Sequence, residues 1–379
     1  MQKKIITLSS NTSWYLFNFR RSTIEEFIKM GFQVICISPK DSFSQKLENL
    51  GCKVISIKMD NKGTNPLRDV FVFFRLFSIY KKYQPIAALH FTIKNNIYGT
   101  WAASLLKIPS INHITGLGTA FLKKNLTFLI VKVLYKTSQP QAYKVFCQNN
   151  VDYLFLINQK LIRKDKLFLL PGSGVNLERF HPSLKSVSIK KNNKFTLLFS
   201  GRMIADKGLF ELIDALKQIN FNEIKCHLWL QGFVDTKNIS SISESQILIW
   251  SKFKWLEWMG STDKIEDVMS IVDGVVLPSY REGMPRPLLE ACSMELPVVT
   301  TNVPGCNEVI EDGINGFLCE PKNPASLMSA LEKLIKMSPE DRLQMGKRGR
   351  LKVEKEFDGQ EVEFRDLTGN RTLVVFDSG

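Results

Sequence analysis

The sequence predicts an α/β protein made of two doubly wound domains, and three observations lead to that reading. Short apolar runs, the length of buried parallel strands, alternate with longer stretches of helical period. In the second half, two such runs pass through a glycine-containing loop directly into a helix pattern. A polar stretch at 183–194 separates two parts, and each is long enough for a domain of its own.

The clearest strand–loop–helix lies around Ser279–Glu290. Gly274 to Leu277 reads as a buried strand, and a helix pattern starts at Leu288. Between them Gly283 is free to take unusual dihedrals, and Pro285 and Pro287 fix φ. In an open α/β sheet, ligands bind where strands end and the next helices begin. Unpaired N–H groups and the positive dipole end of a helix suit phosphate there. Glu282 sits at the mouth of the loop and Glu290 lies inside the helix, eight positions on. Such carboxylates can accept hydrogen bonds from ribose or sugar hydroxyls. An ordinary loop with one surface and one capping glutamate presents the same pattern.

The second such unit begins with a strand at 195–200. It runs into Gly201-Arg202-Met203-Ile204-Ala205-Asp206-Lys207-Gly208 and a helix from Leu209 to Lys217. Arg202 offers a planar donor fork and Lys207 a compact charge. Cations at a helix amino end oppose the dipole unless an anion sits with them. One basic loop beside one acidic loop has the composition of a nucleotide-sugar site, with cations for the diphosphate and carboxylates for hydroxyls.

These residues resemble the retaining glycosyltransferases of GT-B family 4. The matching pieces are Ser200-Gly201-Arg202 with Lys207-Gly208, Pro278-Ser279 with Glu282-Gly283, Pro285 and Leu289-Glu290-Ala291, and Leu296 to Phe317 with Gly305, Glu308 and Gly313. The likeness is close over about 195–355 and looser before it. Within the family the chain is most similar to bacterial enzymes that build lipid-linked O-antigen, capsule or glycoprotein glycans, such as α-1,3-N-acetylgalactosaminyltransferases. The resemblance implies two Rossmann-like domains facing across a cleft. It implies transfer of a hexose or N-acetylhexosamine from a nucleoside-diphosphate sugar, expected to be a UDP-sugar, to a polyprenyl-diphosphate-linked glycan. Arg202 and Lys207 would hold the diphosphate, Glu282 the donor sugar and Glu290 the ribose. Gly201, Gly260, Gly283, Met284, Pro285 and Leu288 would complete the donor set. No cofactor is expected. No Asp-x-Asp stands in a strand-end loop, so the charge a metal would offset falls to Arg202, Lys207 and helix amino ends.

Taken in order, residues 3–8 read as the first strand. The loop Ser9-Ser10-Asn11-Thr12-Ser13 and a helix through Lys29 follow, then strands at 34–38, 54–57 and 87–90. The first loop lacks Gly-x-Gly-x-x-Gly, which disfavours a dinucleotide dehydrogenase. Its Asn11 and Thr12 can face a ligand. Arg20 and Arg21 either meet an anionic acceptor or lie on a solvated helix face. Pro66 to Tyr83 is helical and aromatic, and 121–136 interleaves Lys123, Lys124, Lys132 and Lys136 with Phe121, Leu122, Phe128, Leu129, Ile130 and Leu134. Either segment fits a buried core helix or an anionic membrane interface.

A strand from Ile108 leads to His113, Thr115 and Gly116. Many relatives carry a histidine at the end of this strand, near the donor sugar. Here Thr115 stands nearest that place, so no catalytic histidine is transferred. Residues two apart on a strand share a face, which lets His113 and Thr115 look the same way. His90, His181 and His227 have no partner at metal spacing and read as structural. Strands at 144–147 and 166–170 precede Gly174-Val175-Asn176, and Pro182 ends the first domain. The second domain, 195–355, has strands at 195–200, 226–231, 255–259, 274–277 and 297–300. A helix over Asp263–Ile271 follows Gly260, whose backbone could frame the base. A charged helix from Ser338 to Lys355 closes it. The tail 356–379 has no helical apolar stripe and reads as a divergent or non-native end.

Residues 1–190 hold 28 Lys and Arg against 9 Asp and Glu, whereas 191–379 hold 23 against 28. A basic half facing an anionic partner follows, either a membrane surface or nucleic acid. Nucleic acid is disfavoured, since no helix-turn-helix, zinc or ribonucleoprotein signature is present. The seven cysteines show no metal spacing and read as buried apolar groups in a reducing compartment. No secretory signal and no membrane-spanning run is read. The expected location is the cytoplasm, peripherally on the inner face of the cytoplasmic membrane. Two rivals stand beside the transferase: a UDP-sugar epimerase of the same two-domain shape, and a basic nucleic-acid-binding protein.

Overall fold

The computed structural model describes residues 4–59, 66–117, 126–170, 174–184, 195–223, 225–236, 238 and 240–357, with the strands at 360–365 and 371–376. The chain divides into two compact units, Met1–Gly174 with Gly359–Gly379, and Val175–Asp358.

The first unit runs β1 (Ile5–Ser9), α1 (Ser13–Lys29), β2 (Gln33–Ser38), α2 (Ser44–Asn49), β3 (Lys53–Ser56), α3 (Pro66–Tyr83) and β4 (Ala87–Phe91). It continues with a π-helical turn Asn95–Gly99, α4 (Thr100–Leu105), β5 (Ser110–Ile114), α5 (Leu126–Ser138), β6 (Lys144–Cys147), α6 (Asn150–Asn158) and β7 (Leu167–Leu169). Its sheet has the order β3-β2-β1-β4-β5-β6-β7, and every pair is parallel. Both faces of a parallel sheet are covered, which is why its strands read as unbroken apolar runs. Ile6, Leu8 and Ile111 pack beneath Leu16, Ile24 and Phe27 of α1. The alternate strand residues Ile35, Ala88 and Val145 pack with Val72, Leu76 and Tyr80 of α3. Those α3 positions are four apart, one face of a 3.6-residue helix. Phe71 and Phe74 of the same helix are exposed.

His90 is structural, as its lack of metal spacing suggests. Its Nε2 lies 2.9 Å from the Tyr80 hydroxyl and its Nδ1 2.8 Å from Asn112 Oδ1. Asn112 in turn donates to Gln139 Oε1 at 2.7 Å. Burial lowers the His90 pKa to about 4, so this network is neutral.

The second unit runs β8 (Phe195–Ser200), α7 (Leu209–Ile219), β9 (Cys226–Gln231), α8 (Glu244–Trp250), β10 (Leu256–Gly260), α9 (Ile265–Met269), β11 (Gly274–Leu277), α10 (Arg286–Ser293), β12 (Val298–Thr301), α11 (Cys306–Val309), β13 (Gly316–Cys319), α12 (Pro324–Lys336) and α13 (Pro339–Glu356). The order β10-β9-β8-β11-β12-β13 is again fully parallel. Helix α7 shows how burial holds these layers. It buries Leu209, Leu212, Ile213, Leu216 and Ile219 on one stripe. Each such side chain is worth roughly 1.5–3 kcal/mol on removal from water. Both units are thus Rossmann-like.

One observation differs from the sequence reading. The units divide before Val175 rather than after Pro182, because Val175 and Phe180 are buried in the second core. Arg350 fastens the same segment by donating to Phe180 O at 2.9 Å and to Ser293 O at 2.6 Å. In the tail, β14 (Gln360–Arg365) and β15 (Arg371–Phe376) form an antiparallel pair. None of the described helices is long and apolar enough to cross a membrane.

Candidate active site

In the second sheet the strand order reverses between β8 and β11, which are neighbours. The loops that leave such a pair go to opposite faces and open a crevice between them. Here those loops are the basic one, Gly201–Gly208, and the acidic one, Ser279–Pro285. They are tied together by the amide of Tyr280, which donates to Asp206 O at 2.9 Å. Tyr280 also donates its hydroxyl to Glu211 Oε1 on α7 at 2.7 Å. Burial and the Glu211 carboxylate raise the Tyr280 pKa, so the phenol keeps its proton.

Lys207 and Glu282 meet across this switch point as an ion pair, and both side chains are largely buried. Close approach of the two loops is made possible by Gly208. It has φ +71°, and a Cβ there would stand 2.0 Å from the Pro278 carbonyl oxygen. Gly305 plays the same part on the other side, with φ +82° and a would-be Cβ 2.5 Å from the Gly283 oxygen. Thr300 Oγ1 donates to Leu277 O at 2.7 Å, and Thr301 Oγ1 to Ser279 O, which hold the acidic loop to β12.

Arg202 extends from the basic loop and is half exposed. Its Nη1 donates to Asp235 Oδ2 at 3.1 Å. The loop carrying Asp235 follows β9 and is laced to the basic loop: Met203 N donates to Phe233 O at 3.0 Å, Ala205 N to Ser240 O at 2.7 Å, and Ser240 Oγ to Asp206 Oδ2 at 3.1 Å. Gly201 N donates to Gln231 O at 3.0 Å, and the Gly260 carbonyl accepts from Gly232 N and Gln231 Nε2, each at 2.6 Å.

Glu290 is buried inside α10 beside Arg286, whose Nη2 is 3.3 Å away. Burial raises its pKa, while Arg286 and then Arg179 draw it down and Glu266 pushes it up. Leu288 is in the core, and its amide donates to Pro285 O at 3.0 Å, so neither is offered to a ligand. Met284 packs partly against the core and Pro285 caps α10. Cys306, beside Glu282 and Lys207, has its pKa pushed up to about 12 by burial and is no thiolate nucleophile.

In the first unit the loop after β1 is largely occupied with itself. Thr12 Oγ1 caps α1 by accepting from Tyr15 N at 3.0 Å, and Asn11 Oδ1 accepts from Ser10 Oγ at 3.3 Å. Asp41 Oδ2 accepts the Trp14 amide at 3.0 Å, so the start of α1 already holds a carboxylate. Arg20 is neither a surface acceptor contact nor a solvated face. It is fully buried beneath α1, with its guanidinium 4.6 Å from the Phe91 ring centre. Its Nη2 lies 2.7 Å from His113 Nδ1 and 3.1 Å from the Tyr15 hydroxyl. Since arginine only donates, His113 Nδ1 accepts and the ring proton is on Nε2. Burial and Arg20 hold the His113 pKa well below its usual value. Arg21 is exposed and pairs with Glu25 at 2.8 Å. Because β5 ends at Ile114, strand alternation does not extend to Thr115. Thr115 and Gly116 are half-buried beyond the strand end, whereas His113 is interior.

A family model for group 1 glycosyl transferases matches residues 181–352, and a glycosyl transferase 4-like model matches 4–149. The chain belongs to the group 1 glycosyltransferases. It is 28% identical over 333 residues to the N,N'-diacetylbacillosaminyl-diphospho-undecaprenol alpha-1,3-N-acetylgalactosaminyltransferase of Campylobacter jejuni, covering 84% of this chain and 86% of that one. It is 26% identical over 275 residues to the UDP-Gal:alpha-D-GlcNAc-diphosphoundecaprenol alpha-1,3-galactosyltransferase of Escherichia coli, covering 71% of each. Its GT-B fold is shared with the Anabaena protein HepE in complex with UDP and glucose, at a TM-score of 0.77, 18% identity and coverage of 94% and 96%.

The structure also gives partners to charged residues of this unit that the sequence reading did not single out. Arg286 lies one helical turn before Glu290, so its i,i+4 spacing was a readable signal. Asp235 sits in an irregular loop and had none. Arg179 sits in the Gly-Val-Asn segment, which the sequence assigns to the other domain. Among the candidate residues, the structure joins Lys207 and Glu282 across the β8–β11 switch point, and Arg202 lies on the same loop as Lys207 with Asp235 as its partner.

Proposed function

We propose that this glycosyltransferase moves a hexose or N-acetylhexosamine from a UDP-sugar, with retention, to a polyprenyl-diphosphate-linked glycan in bacterial surface-polysaccharide or glycoprotein-glycan synthesis, at the inner face of the cytoplasmic membrane. The observation that carries the reading is the meeting of Lys207 and Glu282 at the β8–β11 switch point, with Arg202 on the same loop as Lys207. An arriving diphosphate replaces Glu282 as the partner of Lys207. Glu282 is then released toward the donor-sugar hydroxyls. Arg202 presents the edge of its fork that Asp235 leaves open. As the sugar leaves, these two cations offset the charge growing on the diphosphate, so no metal is required. Glu290 accepts from the ribose hydroxyls. The named substrates of the Campylobacter and Escherichia relatives support the lipid-diphosphate acceptor, and that of the second supports the UDP-sugar.

A screen of UDP-, GDP- and ADP-sugars, with and without an undecaprenyl-diphosphate-linked acceptor, tests the reading. The expected result is UDP release that depends on acceptor, persists in EDTA and yields an α-linked product. Isomerised UDP-sugar formed without acceptor would assign an epimerase instead. Complete loss in EDTA, restored by Mg²⁺ or Mn²⁺, would overturn the metal-independent site.

A further inference from the structure

The first sheet has a switch point of its own. Its strand order reverses between β1 and β4, which are parallel neighbours. Crevices at such reversals hold ligands. The loop after β4 begins at Thr92, whose φ of +73° is an outlier for a β-branched residue. It ends at Lys94, whose Nζ lies 2.6 Å from Asp69 Oδ1 in the first turn of α3. These two side chains are 18% and 9% exposed, against 18% and 13% for Lys207 and Glu282. Each unit therefore has a lysine–carboxylate pair, largely out of water, on a loop that leaves its switch point. The π-helical turn Asn95–Gly99 follows at once, and such turns are frequent at functional sites. Asn95 is fully buried, and its Nδ2 donates to Thr92 Oγ1 at 3.1 Å. Its Oδ1 has no hydrogen-bond partner among the described residues. A strained residue and an unmet buried acceptor in one short segment mark a loop that is not built for stability alone.

We propose that Lys94 binds a phosphate oxygen of the glycan acceptor's diphosphate, and that Asp69 is the stand-in that holds Lys94 until the acceptor arrives. This rests on the reading of the acceptor as a polyprenyl-diphosphate-linked glycan. Two charges held out of water are not parted without a replacement, because either one left alone is strongly unfavourable. Lys94 therefore gives up Asp69 only to another anion. A phosphate oxygen supplies one, through a charge-assisted hydrogen bond of the same kind. Asp69 can be released because it stands in the first turn of α3. The positive end of a helix favours a carboxylate there whether or not a lysine is paired with it. Lysine presents a compact point charge, so it reads the phosphate and leaves the choice of sugar to other groups. Donor and acceptor diphosphates are then met by separate lysines, Lys207 in the second unit and Lys94 in the first.

The test is steady-state transfer by the full chain, with an undecaprenyl-diphosphate-linked acceptor that supports turnover. Acceptor and donor are each varied at saturating levels of the other. Lys94→Met is expected to raise the acceptor KM about tenfold or more and to leave the donor KM within about twofold. Lys94→Arg, which keeps the charge, should recover most of that loss. Asp69→Asn removes the competitor and should lower the acceptor KM by about threefold, since the competent state no longer has to be released first. Opposite effects of the two variants separate a binding lysine from a purely structural pair, in which both would lose alike. If Lys94→Met does not fold, the double variant Lys94→Met with Asp69→Asn removes both charges together and should still raise the acceptor KM. An unchanged acceptor KM without Lys94 overturns the proposal, as does a loss in Asp69→Asn equal to that in Lys94→Met. Calorimetry with inorganic pyrophosphate, in saturating UDP, keeps this failure apart from that of the acceptor reading. Lys94-dependent pyrophosphate binding in a chain that transfers to no lipid-linked acceptor would refute the acceptor reading and support Lys94 as an anion site. Neither binding nor transfer would overturn both.

Discussion

Lys207, at the end of the loop after β8, and Glu282, in the loop after β11, are ion-paired where the strand order of the second sheet reverses. Both side chains are mostly out of water, so neither charge is easily left alone. Lys207→Met should therefore destabilise the chain more than the double variant Lys207→Met with Glu282→Gln. Urea unfolding of the two compares them directly. A double variant less stable than the single would show that the pair is not what holds these loops.

Turnover should respond to Lys207 and to Arg202 on the same loop. Where charge develops on a leaving group, one preorganised donor is worth about 3–4 kcal/mol in the transition state. Arg202→Ala and Lys207→Ala are each expected to lose on the order of 100-fold or more in turnover. Steady-state UDP release measures this, with circular dichroism as the folding control. Near-normal turnover in both would remove these residues from the chemistry.

Acid should weaken the first unit through its buried histidines. Unfolded, His90 takes a proton near pH 6.5, whereas in the folded chain burial lowers its pKa to about 4. Between those values the unfolded state binds more protons, so stability is present above about pH 6.5 and falls as pH drops toward 4. Each such histidine contributes a slope of up to roughly 1.4 kcal/mol per pH unit. His113, held low by burial and Arg20, acts in the same direction. Urea titrations at pH 7.5, 6 and 5 should show the decline. His90→Gln, less stable overall, should show a shallower one. An equal slope in that variant would place the acid sensitivity elsewhere.

Gly208 and Gly305 set the distance between the site loops. An alanine at 208 combines a left-handed backbone with a carbonyl oxygen 2.0 Å away, and neither can relax without moving Pro278. Alanine where φ is positive costs more than about 1 kcal/mol even without a clash. Gly208→Ala should lower the thermal midpoint and weaken nucleotide binding together. Gly305→Ala, with its contact at 2.5 Å, should do so less severely. A Gly208→Ala chain with wild-type stability and affinity would contradict the packing described.

Much of this was legible because parallel strands advertise themselves. The strands at 144–147, 195–200, 226–231 and 274–277 were read with the bounds they have in the structure. The loops after β8 and β11 were legible because their glycines and prolines serve backbone geometry that side-chain packing cannot hide. Arg20 was misread because polarity predicts exposure, and only tertiary structure shows a cation tucked against Phe91 and His113. The partners Asp235 and Arg179 were invisible for a related reason. Pairing across distant segments leaves no local period to detect. The end of the first domain was misplaced because Val175 and Phe180 look alike whichever core receives them.

The basic half leads to the last prediction. Helix α5 leaves Leu129 and Val133 exposed at 56% and 60%, and α3 leaves Phe71 and Phe74 exposed at 67% and 59%. Apolar surface of this kind, among the lysines and arginines of residues 1–190, suits an anionic membrane interface. Each basic residue near such a surface contributes roughly 1 kcal/mol, screened beyond about 10 Å at moderate salt. The apolar side chains add a part that resists salt. Lys123 and Lys124, together with Phe121 and Leu122, belong to the same segment in sequence and lie outside the described residues. The chain is therefore expected to float with vesicles containing anionic lipid, and salt should weaken that binding without erasing it. Replacing Lys123 and Lys124 with Glu should reduce the salt-sensitive part. Replacing Leu129 and Val133 with Ser should reduce the salt-resistant part. Nucleotide affinity of the second unit should be unchanged in both. Equal flotation with neutral and anionic vesicles, or none with either, would leave the charge of residues 1–190 without this role.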